Sequence, residues 1–183
     1  YIGVTGVQTC ALPIWDKMFH FIQNGSEGLI PQFDRDYFLP MMVGEVYYYL
    51  GLTNTAQRFA FEGMEAIPDY QKSARCLKRL AETNLINGSY EVSRKYLLIL
   101  QNTFFYKDWA TETLAYLGDE DRINNHPEWG RIRKYRPKED FLFDGNQLDM
   151  ILGMLIQQEP KNRMAYEYLM GYCLPNKDLP HFM

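Results

Sequence analysis

Residues 44–68, GEVYYYLGLTNTAQRFAFEGMEAIP, read as two helices packed back to back. Gly51 falls between them, where a residue with positive φ ends the first helix. Thr53 or Asn54 is placed to cap the second helix, and Pro68 closes the unit. Gly44, Ala56 and Ala60 are small enough to let two helix backbones approach closely, with Tyr47 filling the space beside them. Pro40 puts the start of the first helix near Leu39, with the proline in its first turn.

The same arrangement returns further on. Leu77, Leu80, Ala81, Asn84 and Leu85 form a stripe at helical spacing. Gly88 ends that helix, Ser89 can cap the next, and Val92, Tyr96, Ile99 and Leu100 share one face of it. Aligned on the two glycines, Leu80-Ala81 takes the place of Val43-Gly44, and Ser93 that of Ala56. Residues 106–117 predict another helix, with Trp109, Thr113, Tyr116 and Leu117 inward and Gly118 at its end. Residues 146–158 carry Leu148, Ile151, Leu152 and Leu155 on one face. Asn162 then caps 163–174, with Ala165, Leu169 and Tyr172 inward, so this pair is a further hairpin. The stretch 119–145 is charged, holds Pro127 and Pro137, and reads as an irregular insertion with short helical turns. Upstream, 15–24 is a short helix with Met18, Phe19 and Ile22 on one face, followed by a loop at 28–36. The fold class is all-α.

Val43-Gly44-x2-Tyr47, Ala56-x3-Ala60 and Pro68 together resemble the tetratricopeptide (TPR) pattern of L-G-x2-Y, A-x3-F and a closing Pro. Pro40 stands where the pattern has Trp, Val43 replaces Leu, and Ala60 replaces Phe, so the unit is TPR-like. The resemblance implies hairpins stacked as a short α-solenoid. The segments MFHFIQNGSEGLIP, TNLINGSYEVSRKYL and FFYKDWATETLAYL resemble an uncharacterised bacterial family of polytopic membrane proteins with a TPR-like helical C-terminal half. That likeness spans most of 18–183. It implies a parent anchored in the inner membrane of a Gram-negative bacterium, on an unresolved side, through segments upstream of this chain. Residues 4–14, VTGVQTCALPI, resemble the translation of a sequencing adapter. Residues 1–14 are therefore expected to be non-native, and 15–183 a helical domain truncated at both ends.

The net charge of −4 removes bulk-charge attraction to nucleic acid. No run of 18 apolar residues occurs, so no helix of this stretch is expected to span a bilayer. Cys10, Cys76 and Cys173 lack metal-ligand spacing, which argues against a zinc site and a disulfide framework. Phosphate-binding Gly loops and metalloprotease, hydrolase and calcium-loop motifs are lacking. Asp119-Glu120-Asp121 can hold a cation or act as an acid/base pair, but a solvated loop is the ordinary account, because carboxylates in metal sites need oxygens arranged around one point. The basic run Arg131-Ile-Arg133-Lys134-Tyr135-Arg136 can touch a phosphate; on an acidic chain, a solvated surface or lipid headgroups suit it better. His20, His126 and His181 have no evident partners. No metal and no cofactor is expected.

In a helical solenoid the first helix of each unit lines the concave surface where partners bind. Counting from Gly44 and Ala81 nominates Met41, Glu45, Tyr48, Arg75, Lys78 and Glu82. Arg75, Lys78 and Glu82 share a helix face, for which a solvated ion-paired surface is the ordinary account. The leading expectation is a non-enzymatic protein-interaction module with a protein or peptide partner. An alternative is a carbohydrate-binding protein, which requires Trp109, Trp129 and Tyr135 to form an exposed platform. A helical glycosidase requires paired carboxylates roughly 5–10 Å apart across a cleft.

Overall fold

The computed structural model describes residues 37–138 and 147–176. The chain divides into two compact units, Phe33–Arg136 and a unit containing Pro137–Met183 with Tyr1–Gln32. The described residues are helical and contain no strand.

In the first unit, α1 (Phe38–Leu50) and α2 (Thr53–Glu65) form a hairpin. Pro40 lies in the first turn of α1, as its fixed φ allows. Gly51 closes α1 in the left-handed conformation, φ 96°, and its N–H donates to the carbonyls of Tyr47 and Tyr48. A side chain there would meet a second obstacle, because a Cβ on Gly51 would lie 2.6 Å from that of Tyr135. Close approach of α1 and α2 depends on small residues. A Cβ on Gly44 would sit 3.3 Å from Phe59 Cβ and 3.5 Å from the Ala56 carbonyl oxygen. Ala56 and Ala60 are buried, and Tyr47 stacks on Phe59 at 5.4 Å.

A 3-10 turn, Pro68–Tyr70, leads to α3 (Ala74–Asn87), which Ser73 caps by accepting from Cys76 N–H. Gly88, φ 83°, ends α3, and α4 (Tyr90–Leu100) follows. The equivalence of Ser93 with Ala56 holds physically: Ser93 is buried and its hydroxyl donates to the Ala81 carbonyl at 2.8 Å. Leu77, Leu80, Leu85, Ile86, Leu97 and Leu100 of these helices are buried, each contributing roughly 1.5–3 kcal/mol. Packing of α2 on α3 joins the two hairpins into a stack.

The side chains nominated to cap α2 and α4 behave otherwise. Leu52 and Ser89 occupy the N-cap positions of α2 and α4, and neither helix has a side-chain cap. Thr53 instead donates to Asn87 Oδ1 at 2.8 Å, and Asn54 Oδ1 accepts from Asn87 Nδ2 at 2.7 Å. These residues tie the start of α2 to the end of α3. The inward face of α4 also differs from expectation. Ser93, Leu97 and Leu100 are buried, whereas Val92 and Ile99 are exposed and Tyr96 is half-buried. The cause is Ser93, whose small polar side chain lets α4 sit close to the Ala81 carbonyl.

After α4 the chain forms α5 (Lys107–Leu114), whose Ala110 joins the core of Leu77, Ala81, Leu97 and Leu100. This helix is shorter than expected, and residues 115–118 are turns that end at Gly118, φ 85°. The described part of 119–145 contains two short helices, α6 (Glu120–Asn125) and α7 (Trp129–Tyr135). They bury Ile123, Trp129 and Ile132, and α7 packs against both α3 and α1. Gly130 makes the α6–α7 contact possible, since a Cβ there would fall 2.0 Å from the Asn124 carbonyl oxygen.

In the second unit, α8 (Leu148–Gln158) packs against α9 (Arg163–Asn176). The expected stripe of Leu148, Ile151, Leu152 and Leu155 is buried. Asn162 caps α9 by accepting from Ala165 N–H at 3.2 Å. The inward residues of α9 are Ala165, Tyr168 and Cys173, while Leu169 and Tyr172 are half-buried. The expectations for 1–36, including the 15–24 helix and His20, lie outside the described residues, as does His181.

Candidate functional site

The polar centre of the first unit is built by helix spacing. Glu45 and Tyr48 are one turn apart on α1, and Lys78, Arg79 and Glu82 lie within one turn of each other on α3. Packing of the two hairpins sets these faces against each other. Arg79 donates from Nε to Glu45 Oε1 at 3.2 Å and from Nη2 to Glu45 Oε2 at 2.5 Å. Its Nη1 lies 2.9 Å from Glu82 Oε2 as an ion pair. The guanidinium also sits over the Tyr48 ring, 3.5 Å from the centroid. Tyr48 Oη donates to Glu128 Oε1 at 3.0 Å, bringing the residue before α7 into the same network. Lys78 Nζ lies 3.6 Å from Glu82 Oε1 and 5.0 Å from the Trp109 ring centroid.

Burial dominates the electrostatics. The Glu82 side chain is only 5% exposed. Burial pushes its carboxyl above the ordinary value of 4.5, and the charges of Arg79 and Lys78 oppose that rise without cancelling it. Burial works against the Arg79 cation, yet Glu82 and Glu45 hold it more firmly protonated than a free guanidinium. Burial also raises the Tyr48 phenol well above its usual range, and that of Tyr47 to about 12. Chemically the network is a set of ions and hydrogen bonds with Arg79 bridging two carboxylates; Arg79 Nη1 and the buried Glu82 Oε2 meet as an ion pair without a hydrogen bond.

The structure therefore gathers Glu45, Tyr48, Lys78 and Glu82, but Tyr48 and Glu82 are buried rather than lining an open face. The contacts from Arg79 and Glu128 enclose them. Met41 is a core residue, and Arg75 is exposed. Arg79 and Glu128 were missed by the sequence reading. The available signal for Arg79 was its position one turn before Glu82, facing Glu45 from the equivalent helix of the next hairpin.

A second polar cluster involves the basic run. Arg133 donates to the Ile86 carbonyl at 3.0 Å and the Leu85 carbonyl at 3.2 Å, and pairs with Glu120 at 2.5 Å. It also donates to Tyr90 Oη at 3.0 Å, and that phenol donates to Glu120 Oε1. Arg136 reaches Asn87 Oδ1 at 3.2 Å. These cations sit at the C-terminal end of α3, where helix carbonyls lack partners and the macrodipole favours positive charge. Asp119 caps α6 by accepting from Arg122 N–H at 3.0 Å, so the acidic run begins as a helix start.

His126 does have partners. Its Nδ1 accepts from the backbone N–H groups of Glu128 and Trp129 at 3.3 and 3.2 Å, and its ring stacks on Trp129 at 3.9 Å. Burial lowers its pKa below 6.5. Trp129 is 4% exposed, and Trp109 and Tyr135 are half-buried. The three rings consequently do not form an exposed platform. Cys76 and Cys173 are buried. Among the described residues no group of three or more His, Cys, Asp or Glu side chains is arranged to hold a metal ion. Among the same residues no helix is long and apolar enough to cross a membrane.

The fold and its polar centre define an all-α protein of stacked helical hairpins locked by an enclosed ion network. The chain belongs to DUF6057, a family of unknown function, whose profile matches residues 13–183. No curated protein and no solved structure matches it.

Proposed function

We propose that the chain is a non-enzymatic, TPR-like module for protein–protein interaction, and that its parent is a membrane-associated bacterial protein. The supporting observation is the use made of the polar residues between α1 and α3. Glu45, Tyr48, Arg79, Glu82 and Glu128 pair with one another across the two hairpins, Glu82 through its ion pair with Arg79. The surface presented to solvent is then a set of helix faces, which hairpin stacks use to hold protein or peptide partners. Arg75, exposed on α3, belongs to one such face.

The rival readings have weaker support. Carbohydrate binding by a flat aromatic platform needs the Trp129 ring, which is buried. Glycosidase chemistry needs two carboxylates facing across a cleft, whereas Glu45 and Glu82 share the Arg79 guanidinium. Membrane association rests on the family resemblance.

A photo-cross-linking residue at Arg75, introduced in cells carrying the parent gene, tests the reading. A discrete protein adduct that excess unlabelled chain competes away is expected. Failure to form any protein adduct at Arg75 would refute the interaction role of that face. Fractionation of the full-length parent tests the second part, since recovery entirely away from the membrane fraction contradicts it.

A further inference from the structure

In a hairpin stack the first helix of each unit lines the groove in which a partner helix is held. Here those helices are α1 and α3, and helical spacing puts Tyr48 and Glu82 on that side of them. One turn further on, the same rows reach Gly51 after α1 and Leu85 and Ile86 on α3. Helix α7 is seated on these positions. Glu128, immediately before it, accepts from Tyr48 Oη at 3.0 Å. Tyr135, at its end, lies so close to Gly51 that a Cβ on the glycine would fall 2.6 Å from the tyrosine Cβ. Arg133 donates to the carbonyls of Leu85 and Ile86 at 3.2 and 3.0 Å, and Arg136 to Asn87 Oδ1 at 3.2 Å.

The residue pattern of α7 is that of a helix bound in a groove. Trp129, Ile132, Arg133 and Arg136 follow the spacing i, i+3, i+4 and i+7, which puts them on one side. Trp129 and Ile132 are buried, whereas Arg131 and Lys134, on the other side, are exposed. Each hydrogen bond named above is made by a side chain of the 128–136 segment, so another helix carrying the same groups can make it.

The joints of the stack are made without this segment. They are Gly44 against Phe59, the Ser93 hydroxyl on the Ala81 carbonyl, and Thr53 and Asn54 on Asn87. The core of Leu77, Ala81, Leu97, Leu100 and Ala110 contains no residue of α6 or α7. Gly118, φ 85°, precedes the segment and Pro137 follows it, so both of its ends are breaks in helix.

We propose that α7 is an internal occupant of the partner groove, held there until a helix of the same chemistry displaces it. The inference deepens the interaction reading and rests on it. The partner presents a carboxylate to Tyr48 and, five and eight residues later, guanidinium groups to the end of α3, as Glu128, Arg133 and Arg136 do. Arginine suits that end because the last carbonyls of a helix lack intrahelical partners and attract a cation with several planar donors. An occupied groove binds weakly in trans, since the apparent Kd is the intrinsic value divided by the fraction of chains that are open.

Fluorescence anisotropy with a labelled peptide of residues 119–138, titrated with the 183-residue chain, tests the proposal. Glu128→Lys/Arg133→Glu reverses both charges that seat α7 and opens the groove. This variant is expected to bind the peptide about 30-fold more tightly than the parent chain does. A peptide carrying the same two reversals is expected to lose that gain. Arg133→Gln alone removes one anchor, for an expected gain of about threefold. A double variant that keeps its cooperative circular dichroism melt and binds no more tightly than the parent chain overturns the inference. So does a gain that the reversed peptide shares. If the double variant unfolds, Arg133→Gln decides, and no gain in that variant overturns the inference. The Arg75 adduct is read separately, so its formation without any peptide binding sinks the internal occupant alone.

Discussion

Replacing Arg79 by Met removes the cation that bridges Glu45 and Glu82 while keeping an unbranched side chain against Tyr48. Glu45 retains some contact with water, its side chain being 15% exposed, whereas Glu82 is 5% exposed and is left with Lys78 at 3.6 Å. Breaking a buried pair in this way costs about 3–5 kcal/mol. Protonation sets a ceiling on the electrostatic part. Starting from the ordinary carboxylate value of 4.5, neutralising Glu82 at pH 7 costs about 3.4 kcal/mol, at about 1.36 kcal/mol per pH unit. At pH 5 the same ceiling is only about 0.7 kcal/mol. The sign follows from the raised folded-state pKa. Stability linked to Glu82 is complete below pH 4.5 and is lost as pH rises through the folded value. Urea unfolding of Arg79→Met followed by circular dichroism should therefore show a loss of about 3 kcal/mol at pH 7, shrinking to about 1 kcal/mol at pH 5. Adding Glu82→Gln should restore most of the pH 7 loss. An equal loss at both pH values, or no rescue by Glu82→Gln, would refute the claim that an uncompensated Glu82 charge is the cause.

Two further predictions concern α6 and α7. Gly130→Ala places a Cβ 2.0 Å from the Asn124 carbonyl oxygen, so chemical denaturation should reveal a loss of about 2–4 kcal/mol; less than about 1 kcal/mol would mean the two helices separate easily. His126 caps α7 through an unprotonated Nδ1, and burial lowers its pKa. Its contribution to stability is present above pH 6.5 and is lost as pH falls through the depressed folded value. Thermal melts of His126→Gln should accordingly vary less between pH 7 and pH 5 than those of the parent chain, and an unchanged pH profile would exclude the cap as its source.

Much of the hairpin architecture was legible because backbone requirements leave a mark on residue type. Gly51 and Gly88 are needed where φ is positive, Ala56 and Ser93 where helices approach, and Asn162 where a helix starts. The α8 stripe was equally plain, since Leu148, Ile151, Leu152 and Leu155 share one face and are buried, while Met150 and Met154 on another side are exposed. Helix α4 had a rival. Val92, Tyr96, Ile99 and Leu100 read as one apolar stripe, of which Leu100 is buried, and Ser93 hides the buried face that it shares with Leu97 and Leu100. The polar centre was half-readable for a related reason. Helical spacing groups Lys78 with Glu82 and Glu45 with Tyr48, but burial of Arg79 depends on Glu45, which lies 34 residues away in sequence. Spacing within one helix carries no information about a partner on another. Likewise, the basic run gives no local sign that Arg133 will reach carbonyls 47 and 48 residues earlier.

That long reach of Arg133 and Arg136 changes how this unit should come apart. A simple array of repeats couples only neighbours, so it can fray from one end while the remainder stays folded. Here the segment that follows the stack returns to seal the end of α3, and α7 also rests on α1. Detaching α7 exposes carbonyls in the second hairpin and apolar surface on the first at once. Amide protons of α1 and α3 should consequently exchange with solvent at a common rate, as members of one cooperative unit, rather than in a gradient along the chain.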